Sequence, residues 1–320
     1  MDAADLELFE RGVRQATERA TGRALDDALR ELGWVDALAD DAPAAIAVVF
    51  RLQGRAGVTS SALDQVVAAG LGVPAAESVA LVLPSLGGDR APGTRHDGAL
   101  HVDGVGTPAL RGADRAVVAL ACGDGEPPAV ATVPTAQLTL RAVDGIDPDF
   151  GLVQVRGTAV DFPVEPVDGS WDAAVALAEL ALSHELVGSS QTMLELAREH
   201  AMTRVQFGQP ISRFQAVRHR LADTLLAIEA ADAVARAAQE TPSPLLAAAA
   251  KSVAGRGART VARHCQQVLA GIGFTAEHPF HRSFRRILLL DQLFGSAHDL
   301  TRAQGDDLLR SRKLPALLPL

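Results

Sequence analysis

Aromatic side chains are scarce: ten Phe, two Trp and no Tyr in 320 residues. Proteins that bind single-stranded nucleic acid stack bases on exposed rings, so this composition argues against that class. Basic residues are not in excess either. Thirty Lys and Arg against 39 Asp and Glu give a formal charge of −9 at pH 7, which excludes a general phosphate-backbone binder and predicts no nucleic-acid partner. Lysine is almost absent, with Lys251 and Lys313 the two examples. Cys122 and Cys265 are the only cysteines and neither sits in a CxxC, so no disulfide framework is expected. No window approaches the ~20 uninterrupted apolar residues of a membrane span. The acidic opening Met1-Asp2-Ala3-Ala4-Asp5 is unlike a signal peptide, and the expected location is the cytoplasm.

What remains is ordinary globular material, 48% hydrophobic and 22% charged, long enough for two or three domains with a substantial core. Three regions differ in pattern. Residues 1–75 read as helices: Leu6, Phe9, Val13 and Ala16 recur at helical spacing, as do Leu25, Leu29 and Leu32. Gly33 suits the end of that second helix, with Trp34 packing against it. A further helix is expected over Ser61–Ala69, ending at Gly70.

Residues 76–168 read as strands. Short apolar runs, Val79–Leu83, Ala116–Ala121, Ala129–Val133, Leu138–Val143 and Leu152–Val160, are separated by turn clusters such as Gly87-Gly88-Asp89 and Gly123-Asp124-Gly125. Their spacing leaves no room for crossover helices, so a mainly antiparallel barrel or sandwich is expected. Residues 169–320 return to helix. Ser170 or Asp172 caps a run to about Thr203, and others cover about Phe214–Gln239, Leu245–Leu269, Pro279–Phe294 and Ser296–Arg310. Five such helices make a bundle. The fold class is therefore mainly α with a central β domain.

Several tempting motifs fail. Ser183-His184-Glu185 are consecutive on a helix and point in different directions, so they form no triad. His278 and His281 lack the further ligands of a metal site, and none is expected. Gly271-Ile272-Gly273 lacks the third glycine and preceding strand of a dinucleotide fingerprint.

The informative segment is Arg204-Val205-Gln206-Phe207-Gly208-Gln209-Pro210-Ile211-Ser212-Arg213-Phe214-Gln215, between two long helices. A plain loop has no need of this concentration of Arg, amide and Phe, and the forked donors of Arg suit a phosphate. Its RxQFGxPIxxFQ pattern, followed by Leu221-Ala222-Asp223, resembles the acyl-CoA dehydrogenase family. A second stretch, Gln267-Val268-Leu269-Ala270-Gly271-Ile272-Gly273-Phe274-Thr275-Ala276-Glu277-His278-Pro279, is similar to the family's QxxGGxGxxxExP, with Ala270 replacing one glycine. The resemblance is strong over about residues 170–295; before that it is mainly the order of domains.

The resemblance implies a helical domain, a β domain and a helical bundle, with FAD bound between subunits. It assigns Arg204, Gln206, Phe207, Phe214, Gln215, Gln267 and Gly271 to the half-site that clamps the pyrophosphate and adenosine end of a neighbour's FAD. Other family features are missing. The TEPGAGSD-like stretch is reduced to Leu83-Pro84-Ser85-Leu86-Gly87-Gly88-Asp89. The NGxKxWIT-like strand corresponds to Val102–Leu110, without its Lys and Trp. The two positions that hold the catalytic Glu in the family correspond to Phe294 and Ala178, and neither accepts a proton. Asp291 and Glu179 lie nearby as weak substitutes.

The expectation is a subunit of a heteromeric α2β2 acyl-CoA dehydrogenase, similar to base-less chains of steroid-degrading bacteria. A larger catalytic partner would bind the acyl-CoA, and an electron-transfer acceptor would reoxidise the flavin. The alternatives are a self-sufficient dehydrogenase using Asp291 or Glu179, and a scaffold of the same fold without flavin.

Overall fold

The computed structural model describes residues 2–73, 80–123, 126–160 and 162–312. The expected 75/76 boundary, Val79 of the first strand run, Asp124-Gly125 of one turn cluster and Lys313 lie outside the described residues.

Five helices open the chain. α1 (Ala3–Arg19) is capped by Asp2, whose side chain accepts from the Ala4 and Asp5 N–H groups, and it buries Phe9 and Val13. α2 (Arg23–Glu31) buries Leu25 and Leu29. Gly33, at φ 73°, turns the chain into α3 (Trp34–Asp40), where Trp34 is buried and its Nε1 donates to Gln65 Oε1 at 2.6 Å. α4 (Ala42–Ala56) has no counterpart among the helices expected from periodicity. α5 (Ala62–Leu71) runs past the expected stop at Gly70 to a left-handed cap at Gly72. Gly70 serves packing instead. A Cβ there would lie 2.3 Å from Ala174 Cα, so the glycine permits close approach to the long helix that follows.

The central sheet contains β1 (Leu81–Leu83), β2 (Gly93–His96), β3 (Ala99–Gly106), β4 (Arg115–Ala119), β5 (Ala129–Pro134), β6 (Leu138–Ala142), β7 (Val153–Ala159) and β8 (Val164–Pro166). The order is β6-β7-β3-β1-β4-β5-β8, with β2 added to β3. The β1–β4 pair is parallel and the other paired strands are antiparallel. Strand alternation divides the side chains between two cores. Leu81 and Leu83 join the helical core, while Val82 meets Val102, Val118, Val133 and Val155 in a second core enclosed by the curled sheet.

The rest is helical: α6 (Trp171–Thr203), α7 (Gln215–Glu240), α8 (Pro244–Leu269), α9 (Phe280–Gln292) and α10 (Ala297–Ser311). Ser170 caps α6 by accepting from the Ala173 N–H. Between Leu180 and Ser190 every residue of α6 is buried, because α4, α5, α7, α8 and α9 all pack on it. Gly54 of α4 and Gly188 of α6 set the α4–α6 distance. A Cβ on either would lie 2.2 Å from a backbone oxygen of the opposite helix, Glu185 O or Arg51 O. Up-down-up connectivity from α6 through α8 places the C-terminal ends of α6 and α8 at the same end of the bundle.

Candidate functional site

That shared end gathers the clamp residues expected from the sequence. Arg204 terminates α6, its N–H bonded to His200 O at 2.8 Å and its carbonyl accepting from Ile211 N–H at 2.9 Å. These bonds fix the backbone; the exposed guanidinium makes no ion pair with the described residues. Next comes a minimal hairpin, β9 (Val205–Gln206) and β10 (Gln209–Pro210). Its loop is Phe207-Gly208, with φ 51° and 77°; positive φ at both positions is the signature of a two-residue hairpin turn. Phe207 is held at the tip with 91% of its surface exposed, edge-on to Phe214 at 6.1 Å. Gln206 and Gln215 are exposed, and Phe214 is half-buried just before α7.

The second stretch ends α8. Gln267 is exposed in the last turn, and Gly271 lies in the 3-10 turn Ala270–Phe274. A Cβ on Gly271 would meet nothing within 4 Å, so no packing inside the chain requires glycine there. Space kept beside an exposed amide fits a ligand approaching the backbone. The cleft here has a volume of about 600 Å³ and is lined by Arg263, Gln266, Gln267, Gly271 and Phe274, with Phe284 and Leu288 of α9 opposite. Gln266 Nε2 is buried beside it without a hydrogen-bond partner. His200 is held below the usual imidazole range by burial, then by His278 and Arg204. His264 is lowered by burial, then by Arg220 and Arg263.

At the opposite end of α6 lie the two positions expected from the sequence to correspond to the family's base. Ala178 and Phe294 are both fully buried. Phe294, at φ 53°, stacks on Trp171 of α6. The loop after β1 is stitched to this turn: Gly87 N–H donates to Gln292 O at 2.7 Å, Gly295 N–H to Gly88 O at 3.1 Å, and Trp171 Nε1 to Asp89 O at 2.7 Å. Lys251, buried in α8, donates to the carbonyls of Asp291 and Gly295 and so holds the same turn from below.

Of the two substitute carboxylates, Asp291 does not have the freedom of a base. Both oxygens of Asp291 are engaged. Oδ2 accepts from Arg259 Nε and Nη2 at 3.1 and 2.6 Å, and Oδ1 accepts from the Ala297 N–H at 3.0 Å. Asp291 thus ties α9 to α8 and α10. Glu179 is buried near Lys251, and burial raises its pKa while Lys251 opposes the rise. Sequence patterning does not mark Lys251 as part of this turn; one lysine in an Ala-rich helix is the available signal.

The failed motifs are structural. Ser183 Oγ donates to Leu180 O at 2.7 Å, His184 Nδ1 lies 3.0 Å from Arg51, and Glu185 receives Arg286 at 2.9 Å. Arg286 also reaches Asp147, a buried bridge between the bundle and the segment before β7. Among the described residues no group of His, Cys, Asp and Glu could hold a metal, and no helix is long and apolar enough to cross a membrane.

Residues 174–301 match the acyl-CoA dehydrogenase C-terminal domain. Acyl-CoA dehydrogenase IpdE2 of Mycobacterium tuberculosis is 35% identical over 166 residues, 52% of this chain and 51% of IpdE2. Acyl-CoA dehydrogenase FadE34 of the same organism is 38% identical over 145 residues, 43% of this chain and 20% of FadE34. The chain thus spans about half the length of IpdE2 and less of FadE34. Among solved structures, the ChsE4–ChsE5 complex from M. tuberculosis matches with a TM-score of 0.78 at 21% identity, over 99% of both chains. The Tcur3481–Tcur3483 steroid ACAD matches at 0.79 and 20% identity, over 97% of this chain and 99% of that one. The chain therefore carries an acyl-CoA dehydrogenase C-terminal domain at residues 174–301, set in an acyl-CoA dehydrogenase fold.

Proposed function

We propose that the chain is the base-less subunit of a heteromeric FAD-dependent acyl-CoA dehydrogenase, cytoplasmic and α2β2, that completes the FAD site of a larger catalytic partner. The observation that carries this reading is the contrast between the ends of α6. Phe294 is buried against Trp171 where the family keeps its base, while Arg204 and Phe207 stand exposed where the family clamps a neighbour's cofactor. The heteromeric neighbours ChsE4–ChsE5 and Tcur3481–Tcur3483 support it. The steroid named for the latter supports a steroid-derived acyl group.

In this reading Arg204 pairs with the pyrophosphate, and Gln206, Gln215 and Gln267 hydrogen-bond around it. Phe207 and Phe214 cover the adenosine end, and Gly271 admits the ligand to the backbone. Bound FAD would accept the β-hydride of the acyl-CoA and pass electrons to a separate acceptor. The partner would supply the base for the α-proton, since Asp291 is held by Arg259 and the Phe294 turn is shut.

The test is purification of the chain alone and with the acyl-CoA dehydrogenase chain encoded beside it, followed by flavin spectrum and stoichiometry. One FAD per heterodimer and none on the isolated chain is expected. Acyl-CoA oxidation by the isolated chain would overturn the reading, and absence of flavin from both preparations would favour a scaffold. Arg204→Ala should cost about 1.5–3 kcal/mol of FAD binding in the complex, the range for a hydrogen bond to a charged group.

A further inference from the structure

The N-terminal helices meet the central sheet at a buried carboxyl. Asp64, in the first turn of α5, is fully buried. Its Oδ2 accepts from Thr107 Oγ1 at 2.8 Å, and the backbone N–H of Leu81 also bonds to the carboxyl. Leu81 opens β1 and Thr107 follows β3. The antiparallel register that pairs Val82 with Gly106 sets Leu81 opposite Thr107. One side chain of α5 therefore grips the same end of two neighbouring strands.

Nothing neutralises this grip when the carboxyl is ionised. Oδ1 is buried without a hydrogen-bond partner among the described residues. The one charged group that acts on Asp64 is Asp26 of α2, and it is of like sign. Asp26 is itself held by Ser61, accepting from its N–H at 2.6 Å and from its Oγ at 3.1 Å. The other elements packed on α5 bring neutral groups. Trp34 of α3 bonds to Gln65, α6 approaches through Ala174, and β1 supplies Leu81 and Leu83. Burial accordingly raises the Asp64 pKa from 3.8 to about 8, against the pull of the Thr107 and Leu81 bonds. A buried carboxylate with an unpartnered oxygen costs far more than the neutral acid in the same place.

The junction can open without loss of the fold. α5 is fastened to the bundle at Gly70 and Gly72, whose absent Cβ atoms leave room for Ala174 and Gly169. The sheet has a second anchor. Arg286 Nε donates to Asp147 at 3.2 Å, while Nη1 donates to Glu185 at 2.9 Å and to Val58 O at 3.1 Å. β1 has three residues, so few bonds resist opening at its first one.

We propose that Asp64 is a proton-linked latch: it takes up a proton when the edge formed by Leu81 and Thr107 closes on α5, and releases it to water when that edge swings away about the Arg286 bridge. The latch lies within one chain and needs no partner. Its two strands carry or lead into Ser85, Leu86, Gly104 and Val105, which line a cleft of about 480 Å³ on the sheet. Closure therefore fixes one wall of that cleft.

The test is hydrogen–deuterium exchange on the full 320-residue chain, from about pH 5 to about pH 9, with intrinsic chemical exchange divided out. Opening at β1 and residues 105–110 should rise about tenfold per pH unit and level off near pH 8. Over that window the open state has lost the proton and the closed state still holds it. α8 and residues 146–151, beside the Arg286 bridge, should keep their protection throughout. Asp64→Asn should abolish the rise. Should this variant fail to fold by circular dichroism, Thr107→Val takes its place. It removes a donor to the ionised carboxyl, so the levelling-off should move to higher pH. An equal loss of protection in α8 overturns the proposal, because Asp64 would then be a buried acid without a local motion. So does protection at β1 that ignores pH, a rise that survives in Asp64→Asn, or a levelling-off that Thr107→Val leaves in place.

Discussion

Trp171 and Phe294 stack with ring centroids 6.2 Å apart and planes inclined by 27°, tying the first turn of α6 to the turn after α9. In the proposed reading the pair occupies the place of the family's catalytic carboxylate. Restoring the acid by Phe294→Glu should therefore not restore chemistry. It removes a buried ring, a change that costs about 3–5 kcal/mol in Phe→Ala variants, and adds the desolvation of a carboxyl. Urea denaturation should show the loss, and dye reduction with acyl-CoA should stay at background. Turnover by this variant would show that the site is open after all.

Gly271 separates packing from binding. With nothing within 4 Å of its absent Cβ, Gly271→Val should leave the stability of the isolated chain within about 0.5 kcal/mol, the range for uninvolved surface positions. In the heteromer the same variant should release FAD, read by absorbance after gel filtration. Normal flavin content would remove Gly271 from the half-site.

Asp64 makes stability depend on pH in an unusual direction. It is fully buried, accepts from Thr107 Oγ1 at 2.8 Å, and burial pushes its pKa from 3.8 up to about 8. Its folded pKa lies above the unfolded one, so the folded state holds the proton more tightly. The stabilisation is complete below the unfolded pKa of 3.8 and is lost as pH rises to about 8. Asp64→Asn keeps the acceptor and discards the titration. It should gain a few kcal/mol over wild type at pH 8, on the order expected for such a shift, with little difference at pH 4. Parallel pH–stability curves for the two proteins would refute the assignment.

Gly188 tests the α4–α6 crossing. An added methyl would lie 2.2 Å from Arg51 O, a backbone atom that cannot move alone. Gly188→Ala should destabilise by about 1–3 kcal/mol or more by overpacking, despite the better helix propensity of alanine. A stabilised variant in thermal melts would show that the helices can separate without cost.

The bundle is legible because its helix ends are written locally, by Ser170, Ser243-Pro244 and the hairpin glycine. α4 is not. It buries Ala44, Ile46, Val49, Leu52 and Gly54 on several faces, so no single stripe marks it. β2 and the start of β3 escape periodicity because Thr94, Arg95, His96 and His101 are polar and exposed. Asp97-Gly98, both at positive φ, is the hairpin signal that finds them. The residues proposed as the clamp lie in two short continuous stretches, which is why a local pattern can suggest them. The closure around Phe294 joins residues from 87 to 295, and no local pattern encodes it.

The length of α6 has a geometric consequence. Ala178 lies in α6 and Arg204 caps it, and the 26 helical steps from one to the other correspond to about 39 Å. That span exceeds what one extended dinucleotide can bridge. With the clamp and base positions proposed above, a chain built this way does not clamp a cofactor and present that cofactor's ring to its own base position. In the proposed reading the two ends of the rod serve two different centres, so a change at one does not have to disturb the other. Division of labour between unlike chains is therefore available to this architecture without redesign: a subunit can retire from catalysis at one end and still serve its neighbour at the other.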